Sequence, residues 1–202
     1  MASQPIPRLT EAEYLAIEER AECKSEFYNG EMFAMAGGSR AHYELEMSLS
    51  RLVGNLLEGS RCREYGPNTR VKAGDSGLYT YPDLSIACGA PQFMGGATDT
   101  LLNPIVLFEI LSPSTENYDR AGKFLLYRQI ESLKQYVLIA QDAPLVEVRT
   151  RNADETWTSA WYESLADICR IDSAGIALPL SAIYERVEFG PPTSPIPSAA
   201  ER

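Results

Sequence analysis

The chain has few of the side chains that bind zinc or support a cysteine nucleophile. Its 202 residues include one histidine, His42, and four widely separated cysteines with no C-x-x-C pair. Structural zinc sites take four such ligands, commonly at short spacings, so we expect none here. A reactive cysteine is equally unexpected, because His42 is the sole histidine that could act as its base. We expect reduced, mostly buried thiols at all four positions, which are Cys23, Cys62, Cys88 and Cys169.

Basic residues are also in deficit, with 18 lysines and arginines against 28 acidic residues and a formal net charge of −10. Non-specific DNA binding depends on cations that neutralise phosphates, so this balance argues against strong binding of that kind. A local basic stripe stays compatible with it, because distribution matters more than the sum. Two basic clusters are candidates, namely Arg61, Arg63, Arg70 and Lys72, and then Arg120, Lys123, Arg128 and Lys134.

Long apolar runs are missing as well. No stretch approaches the roughly 20 apolar residues that cross a bilayer. The N-terminus, MASQPIPRLTEAEY, lacks the basic-then-apolar order of a secretory signal. We therefore expect a cytoplasmic protein that does not associate with membranes.

Three patterns predict the N-terminal elements. A capping-box pattern opens a short amphipathic helix over 9–19. Asn29-Gly30 between two apolar arms is typical of a β-hairpin. Helical periodicity predicts a long helix over 39–59, with His42 on its core-facing side. We interpret that histidine as structural, with a role near a functional site as the alternative.

The middle of the chain predicts a mixed sheet with flanking helices. The strand-like run 104–111, a helical pattern over 118–131 and a buried strand over 135–141 have the order of a crossover unit, which would make the two strands parallel. The fold class is therefore α/β (or α+β), in one domain over residues 1–189. The proline-rich tail 190–202 is expected to be disordered.

Two acids interrupt strand-like apolar runs. Asp83 stands in YPDLSI, and Glu109 stands in VLFEIL. Strand alternation puts Glu109 on one face with Leu107 and Leu111, so its carboxylate should be partly buried. A buried carboxylate needs a cation, a hydrogen-bond donor or a raised pKa. Two acids on neighbouring strands would suit Mg²⁺ or Mn²⁺, although the spacing alone favours two strand-end acids that meet backbone or basic side chains.

A lysine occupies an apolar stripe on the predicted helix that follows. Lys123, Leu126, Tyr127 and Ile130 are spaced to share one face toward the sheet. Lysines are rarely buried without partners. The carboxylates of the preceding strand are the expected partners, and a lysine beside a scissile phosphate can stabilise developing charge.

Several stretches together resemble a known family. Pro82-Asp83, followed after a gap by VLFEILSPSTENYDRAGKFLLYRQIESLKQYVLI, is similar to the "putative restriction endonuclease" family of the PD-(D/E)XK nuclease superfamily. The stretches EFYNGEMFAMAGGS and CREYGPNTRVK add to the resemblance, which extends over about residues 9–189. The segment EILSPST with the downstream YDR…K…Y pattern is its most specific part.

The resemblance implies a restriction-endonuclease-like core that hydrolyses phosphodiester bonds in DNA with metal-activated water. It implies a divalent metal, Mg²⁺ or Mn²⁺, held by Asp83 and Glu109, and an accessory carboxylate from Glu26. A homodimer is expected for an enzyme that cuts both strands of a duplex, since two cuts need two sites.

One departure from the superfamily pattern bears on activity. The pattern has a lysine two residues after the second acid, and here that position is Leu111. Lys123 is the candidate for the missing amine, and Lys72 is a weaker alternative. Two other functions stay open: a catalytically inactive binding or assembly module with this fold, and a metal-dependent hydrolase of a small phosphorylated substrate.

Overall fold

The computed structural model describes residues 8–35, 37–74, 77–95 and 100–189. The predicted tail 190–202 lies outside these residues. Within them, no helix combines the length and apolarity needed to cross a bilayer. The helices of the described residues are α1 (Glu11–Glu18), α2 (Arg40–Leu57), α3 (Phe124–Tyr127) and α4 (Leu180–Ile183), and a π-helical segment, Tyr118–Lys123, leads directly into α3.

Most of the described chain is β-structure, arranged in two six-stranded sheets and one separate hairpin. The strands are, in chain order, β1 (Ser25–Tyr28), β2 (Glu31–Ala34), β3 (Cys62–Tyr65), β4 (Arg70–Ala73), β5 (Leu78–Thr80), β6 (Leu84–Cys88), β7 (Phe93–Met94), β8 (Thr100–Leu101), β9 (Val106–Leu111), β10 (Gln135–Ala140), β11 (Val146–Arg151), β12 (Trp157–Tyr162), β13 (Ile168–Ile171) and β14 (Ile176–Pro179). The first sheet has the order β2-β1-β5-β4-β8-β7, the second has the order β12-β11-β10-β9-β6-β3, and β13 pairs with β14. The predicted mixed fold of sheets and helices is confirmed.

The N-terminal predictions hold in detail. The Thr10 side chain accepts from the backbone of Glu13, whose carboxylate accepts in return, so α1 opens with a full capping box. Asn29 and Gly30 both have positive φ and join β1 to β2. Ser39 caps α2 by accepting from the amide of His42. Each of these residues satisfies a local requirement that the sequence alone displays.

The second sheet is covered on both faces, which explains the apolar character of its central strands. Strands β9 and β10 are parallel, as the crossover pattern predicts, and all their residues are buried. One face packs on α2, whose Leu45, Leu49 and Val53 are fully buried, each contributing about 1.5–3 kcal/mol. The other face packs on Tyr127, Ile130 and residues of the first sheet.

The helix predicted over 118–131 has a different internal geometry. Residues 118–123 form the π-helical segment, and regular α-helix continues only to Tyr127. Buried residues still recur at Lys123, Tyr127 and Ile130, so the predicted stripe does face the sheet. A π-helical turn widens the backbone, and such turns are common at functional sites.

The prediction of four reduced thiols is wrong for two of them. Cys62 on β3 and Cys88 on β6 are directly opposed in antiparallel strands and form a disulfide. Cys169 is free and buried, as expected, and Cys23 is free but exposed. The pairing escaped prediction because the two cysteines are 26 residues apart and only the strand register brings them together.

Candidate metal-dependent active site

Asp83 lies at the start of β6, against the neighbouring strand that carries Glu109. Strands β6 and β9 are antiparallel, with Leu84 opposite Phe108. The Asp83 Oδ2 accepts a hydrogen bond of 2.6 Å from the amide of Ile110, the residue after Glu109. This bond fixes one predicted acid beside the other, as expected for acids on adjacent strands.

Glu109 is buried in the middle of the sheet face, with 5 % of its surface exposed. Its Oε1 accepts hydrogen bonds from the Tyr127 hydroxyl at 2.7 Å and from Lys123 Nζ at 3.2 Å. Burial raises the pKa of Glu109 well above its usual value, and the Lys123 charge offsets this only in part. Two hydrogen bonds thus hold the carboxylate in place, but the nearby positive charge does not fully compensate its burial.

Lys123 provides the positive charge of the cluster and is only 6 % exposed. Its Nζ lies 3.0 Å from Glu26 Oε1, 3.2 Å from Glu109 Oε1 and 3.3 Å from Asp119 Oδ1. Burial by itself lowers the pKa of Lys123, but the three carboxylates outweigh it and raise the pKa well above the usual value. One ammonium therefore pairs with three carboxylates. Its single positive charge does not balance their negative charge.

Glu26 enters the cluster from the first sheet. It stands on β1, and its Oε1 accepts a hydrogen bond of 2.5 Å from the hydroxyl of Thr80 on β5. That hydroxyl also lies 3.4 Å from the Tyr127 hydroxyl, which bonds to Glu109. The contacts link the two sheets, and they bring together the four residues that sequence reasoning selected: Glu26, Asp83, Glu109 and Lys123.

Two further residues belong to the cluster, and the sequence reasoning selected neither as a site residue. Asp119 is buried and stands four residues before Lys123, an i,i+4 spacing that could have identified it from the sequence. His42, for which the sequence left a structural role or a role near a functional site, lies with its Nε2 3.0 Å from Asp83 Oδ1. Burial lowers the pKa of His42, but the hydrogen bond and charge of Asp83 outweigh it and raise the pKa. No local sequence signal marks that contact.

Lys72, the weaker alternative for the missing amine, lies elsewhere. Its Nζ donates to Glu11 at 2.8 Å, and it is not among the residues that line the site cavity. Leu111 packs in the apolar cluster with Tyr127 and Leu138, so the position of the usual lysine is filled by a core residue. The ammonium that reaches Glu109 therefore comes from the following helical segment.

An open cavity of about 470 Å³ gives access to the cluster. Its wall includes the predicted residues together with the hydroxyl-bearing turn after β9, the N-terminal end of α2 and two half-exposed aromatic side chains. Ser112, Ser114 and Thr115 form that turn, and Phe33 and Tyr118 are the aromatic side chains. The cavity thus offers hydroxyl donors and ring faces around a carboxylate-rich floor.

The charges of the site fit a divalent cation. Glu26, Asp83, Glu109 and Asp119 place four carboxylates in the cluster, and Lys123 is its one ammonium among the described residues. Carboxylate oxygens are the ligands that Mg²⁺ and Mn²⁺ prefer. Burial leaves the carboxylates of Glu109 and Asp119 with raised pKa values, which an additional cation would reverse. The donor set therefore suits the metal that the sequence predicts.

Comparison with known proteins settles the family. The profile of the Uma2 family, described as "Putative restriction endonuclease", matches residues 11–180. The chain belongs to this family. The match includes every residue of the cluster, from Glu26 to Lys123, so the family assignment and the cluster concern the same part of the chain.

Relatives of this Uma2 chain are found in cyanobacteria. An uncharacterized protein of Synechocystis sp. is 33% identical over 187 residues, which is 93% of this chain and 97% of that protein. A second uncharacterized protein of the same organism is 36% identical over 149 residues, which is 74% of this chain and 84% of that protein.

A solved structure shares the fold. A protein of Anabaena variabilis, described as "a putative nuclease belonging to DUF820", superposes with a TM-score of 0.72 at 18% identity, and the alignment covers 88% of this chain and 98% of that one. Membership of the Uma2 family together with this structure supports a nuclease-type fold.

Proposed function

We propose that the protein is a divalent-metal-dependent endonuclease that hydrolyses phosphodiester bonds in DNA. The observation that carries the proposal is the meeting of Asp83, Glu109 and Lys123 in one open cavity, in a chain of a restriction-endonuclease family. Asp83 and Glu109 would hold Mg²⁺ or Mn²⁺. When bound, such an ion activates a water molecule and neutralises charge on the phosphate.

Lys123 would stabilise the negative charge that develops on the phosphate. Its ammonium is buried, the surrounding carboxylates raise its pKa, and a fixed positive charge in a site of low dielectric stabilises a transition state strongly. Glu26 and Asp119 each contact this ammonium. They would act as positioning residues, which keep Lys123 beside Glu109 before substrate arrives.

Under this proposal, Leu111 at the usual lysine position is compatible with activity. In the superfamily pattern the lysine arrives from the same strand as the second acid, whereas here Lys123 Nζ stands 3.2 Å from Glu109 from the π-helical segment. The π-helical segment therefore provides an ammonium close to the second acid, in place of the lysine on the strand. Under the inactive-module alternative, this ammonium would serve only to pair the three carboxylates around it.

The test is cleavage of supercoiled plasmid DNA with Mg²⁺ or Mn²⁺. Asp83→Asn and Glu109→Gln should each reduce the cleavage rate by at least about a hundredfold, the typical contribution of one positioned catalytic group. Glu116→Gln is the matched control, because Glu116 pairs with Arg120 outside the cluster. Equal cleavage by all four proteins would overturn the proposal.

The substrate class needs a second assay. Among the side chains described as lining the cavity, Lys123 is the only lysine or arginine, and it already contacts three carboxylates. A small phosphorylated substrate needs fewer cationic contacts than duplex DNA does. Metal-dependent hydrolysis of a small phosphodiester, without plasmid cleavage, would favour that alternative over the endonuclease.

Two further parts of the proposal concern the protein as a whole. A homodimer would provide the two sites that a double-strand cut requires, and light scattering coupled to gel filtration should give twice the mass of one chain.

We also propose a cytoplasmic location, although disulfides are uncommon there. Cell fractionation tests it, and recovery outside the cytoplasm would contradict it.

A further inference from the structure

We propose that His42, Glu46 and Asp83 form a second cation site, beside the one proposed at Asp83 and Glu109. It would take a divalent transition ion that accepts a nitrogen ligand, such as Mn²⁺, Co²⁺ or Zn²⁺, in preference to Mg²⁺ or Ca²⁺. The inference concerns metal binding alone and does not depend on DNA cleavage.

The three side chains meet the first geometric requirement of a metal site. One nitrogen of His42 and one carboxylate oxygen each from Glu46 and Asp83 all lie within 4.8 Å of one another. The His42 Nε2 and Asp83 Oδ1 are 3.0 Å apart. Two ligands that bind one ion at about 2.1 Å and at right angles also stand about 3.0 Å apart. The contact is therefore compatible with a shared ion as well as with a hydrogen bond.

The site is built on a rigid helix. His42 and Glu46 are one helical turn apart in the first half of α2, so their side chains project from the same face. Asp83 approaches from the sheet, where its second oxygen is held by the amide of Ile110. Ligands fixed in this way lose little conformational entropy when an ion binds.

Glu46 is the residue that a simple hydrogen bond between His42 and Asp83 leaves unexplained. Its carboxylate is partly exposed, and among the described residues it takes part in no hydrogen bond or ion pair. It faces the like charge of Asp83, with His42 and the more weakly interacting Lys24 as the opposing groups. A cation between the two carboxylates would remove that repulsion.

The experiment is a titration of the full-length protein with Mn²⁺. Isothermal calorimetry measures the affinity, and electron spin-echo spectroscopy detects the ligands of the bound ion. We expect nitrogen coupling from the His42 ring in the spectrum of the bound ion, and its loss in His42→Gln. Glu46→Gln should weaken one binding event by at least about tenfold, since even outer-shell contacts contribute that much. An excess of Mg²⁺ should displace this ion poorly.

Glu44→Gln is the matched control, because it makes the same change on the same helix at a residue paired with Arg40. Its Mn²⁺ affinity should equal that of the wild type. If His42→Gln fails to fold, the Glu46→Gln affinity and the nitrogen coupling of the wild type still decide the outcome. Absence of nitrogen coupling, or unchanged affinity in Glu46→Gln, would overturn the site and leave His42 as a residue that orients Asp83.

Glu109→Gln separates this inference from the proposed function. It removes a ligand of the first site only, so nitrogen coupling should persist in that variant. Coupling without plasmid cleavage by the wild type would support the second site and contradict the endonuclease. Cleavage without coupling would do the reverse.

Discussion

Lys123 joins three carboxylates that come from three different elements, β1, β9 and the π-helical segment. A buried charge is acceptable only when it is paired, and removal of one partner leaves the others uncompensated. Lys123 is therefore a structural as well as a chemical part of the site. The same holds for Tyr127, whose hydroxyl bonds to Glu109 from the next turn.

Lys123→Met should lower the free energy of unfolding by about 3–5 kcal/mol, because it leaves the buried carboxylates of Glu109 and Asp119 and the partly buried carboxylate of Glu26 without a cation. Urea denaturation at neutral pH measures this. Lys134→Met is the matched control, since Lys134 is exposed, and it should change stability by less than about 0.5 kcal/mol. Equal stability of the two variants would show that the ion pairs contribute nothing net.

Gly122→Ala should reduce activity more than stability. A Cβ at this position would lie 2.6 Å from the ring of Tyr118, which is half-exposed and can shift. Alanine also favours helix over glycine by about 1 kcal/mol, which offsets part of the strain. We expect slower plasmid cleavage and a change in unfolding free energy within about 1 kcal/mol. In a Tyr118→Ala background the substitution should have no further effect on cleavage.

At the scale of elements, covalent and ionic links fasten strands on both sides of the central pair β9–β10 of the second sheet. The disulfide ties β3 to β6, the strand that Asp83 precedes. At the other side, Glu147 on β11 accepts hydrogen bonds from Arg120 of the π-helical segment and from Arg149. Both links hold strands and segments that carry residues of the site.

Loss of the disulfide should destabilise the fold by about 2–4 kcal/mol, because it frees a loop of 26 residues in the unfolded chain. Thermal or urea unfolding with and without reductant measures this. A thiol assay in denaturant should find two free thiols, Cys23 and Cys169, before reduction and four afterwards. Four thiols without reductant would contradict the pairing.

Glu147 should make stability depend on acid pH. Burial raises its pKa, but hydrogen bonds from Arg149 and Ser159 and the charge of Arg120 outweigh it and lower the pKa below 4.5. A depressed carboxyl pKa stabilises the fold above the unfolded value and loses that effect as pH falls through the folded pKa. Glu147→Gln should therefore flatten the decline in unfolding free energy below about pH 4.5. An unchanged slope would exclude Glu147 as its source.

At the scale of the whole molecule, the candidate site lies between the two sheets. The first sheet provides Glu26 and Thr80, the second provides Asp83 and Glu109, and the helical segment that packs over both provides Lys123. The overall charge of −10 gives no indication of this arrangement. Under the proposed function, substrate binding is expected to depend on the cavity and on a cation held there more than on the surface as a whole.

The sequence alone determined features that depend on near neighbours. The capping box of α1, the turn at Asn29-Gly30, the span of α2 and the parallel pair β9–β10 all follow from local spacing and hydrophobic period. Strand alternation was sufficient to place Glu109 on a buried face. The apolar stripe was sufficient to predict that Lys123 would be paired.

Only the tertiary structure decided the contacts between distant segments. The disulfide depends on the register of β3 against β6, and the contact of His42 with Asp83 depends on how α2 crosses the sheet. The division of the β-structure into two sheets, with Glu26 on one and Glu109 on the other, is likewise set by packing. Such contacts join residues far apart in the chain, and no local pattern in one sequence encodes their distance.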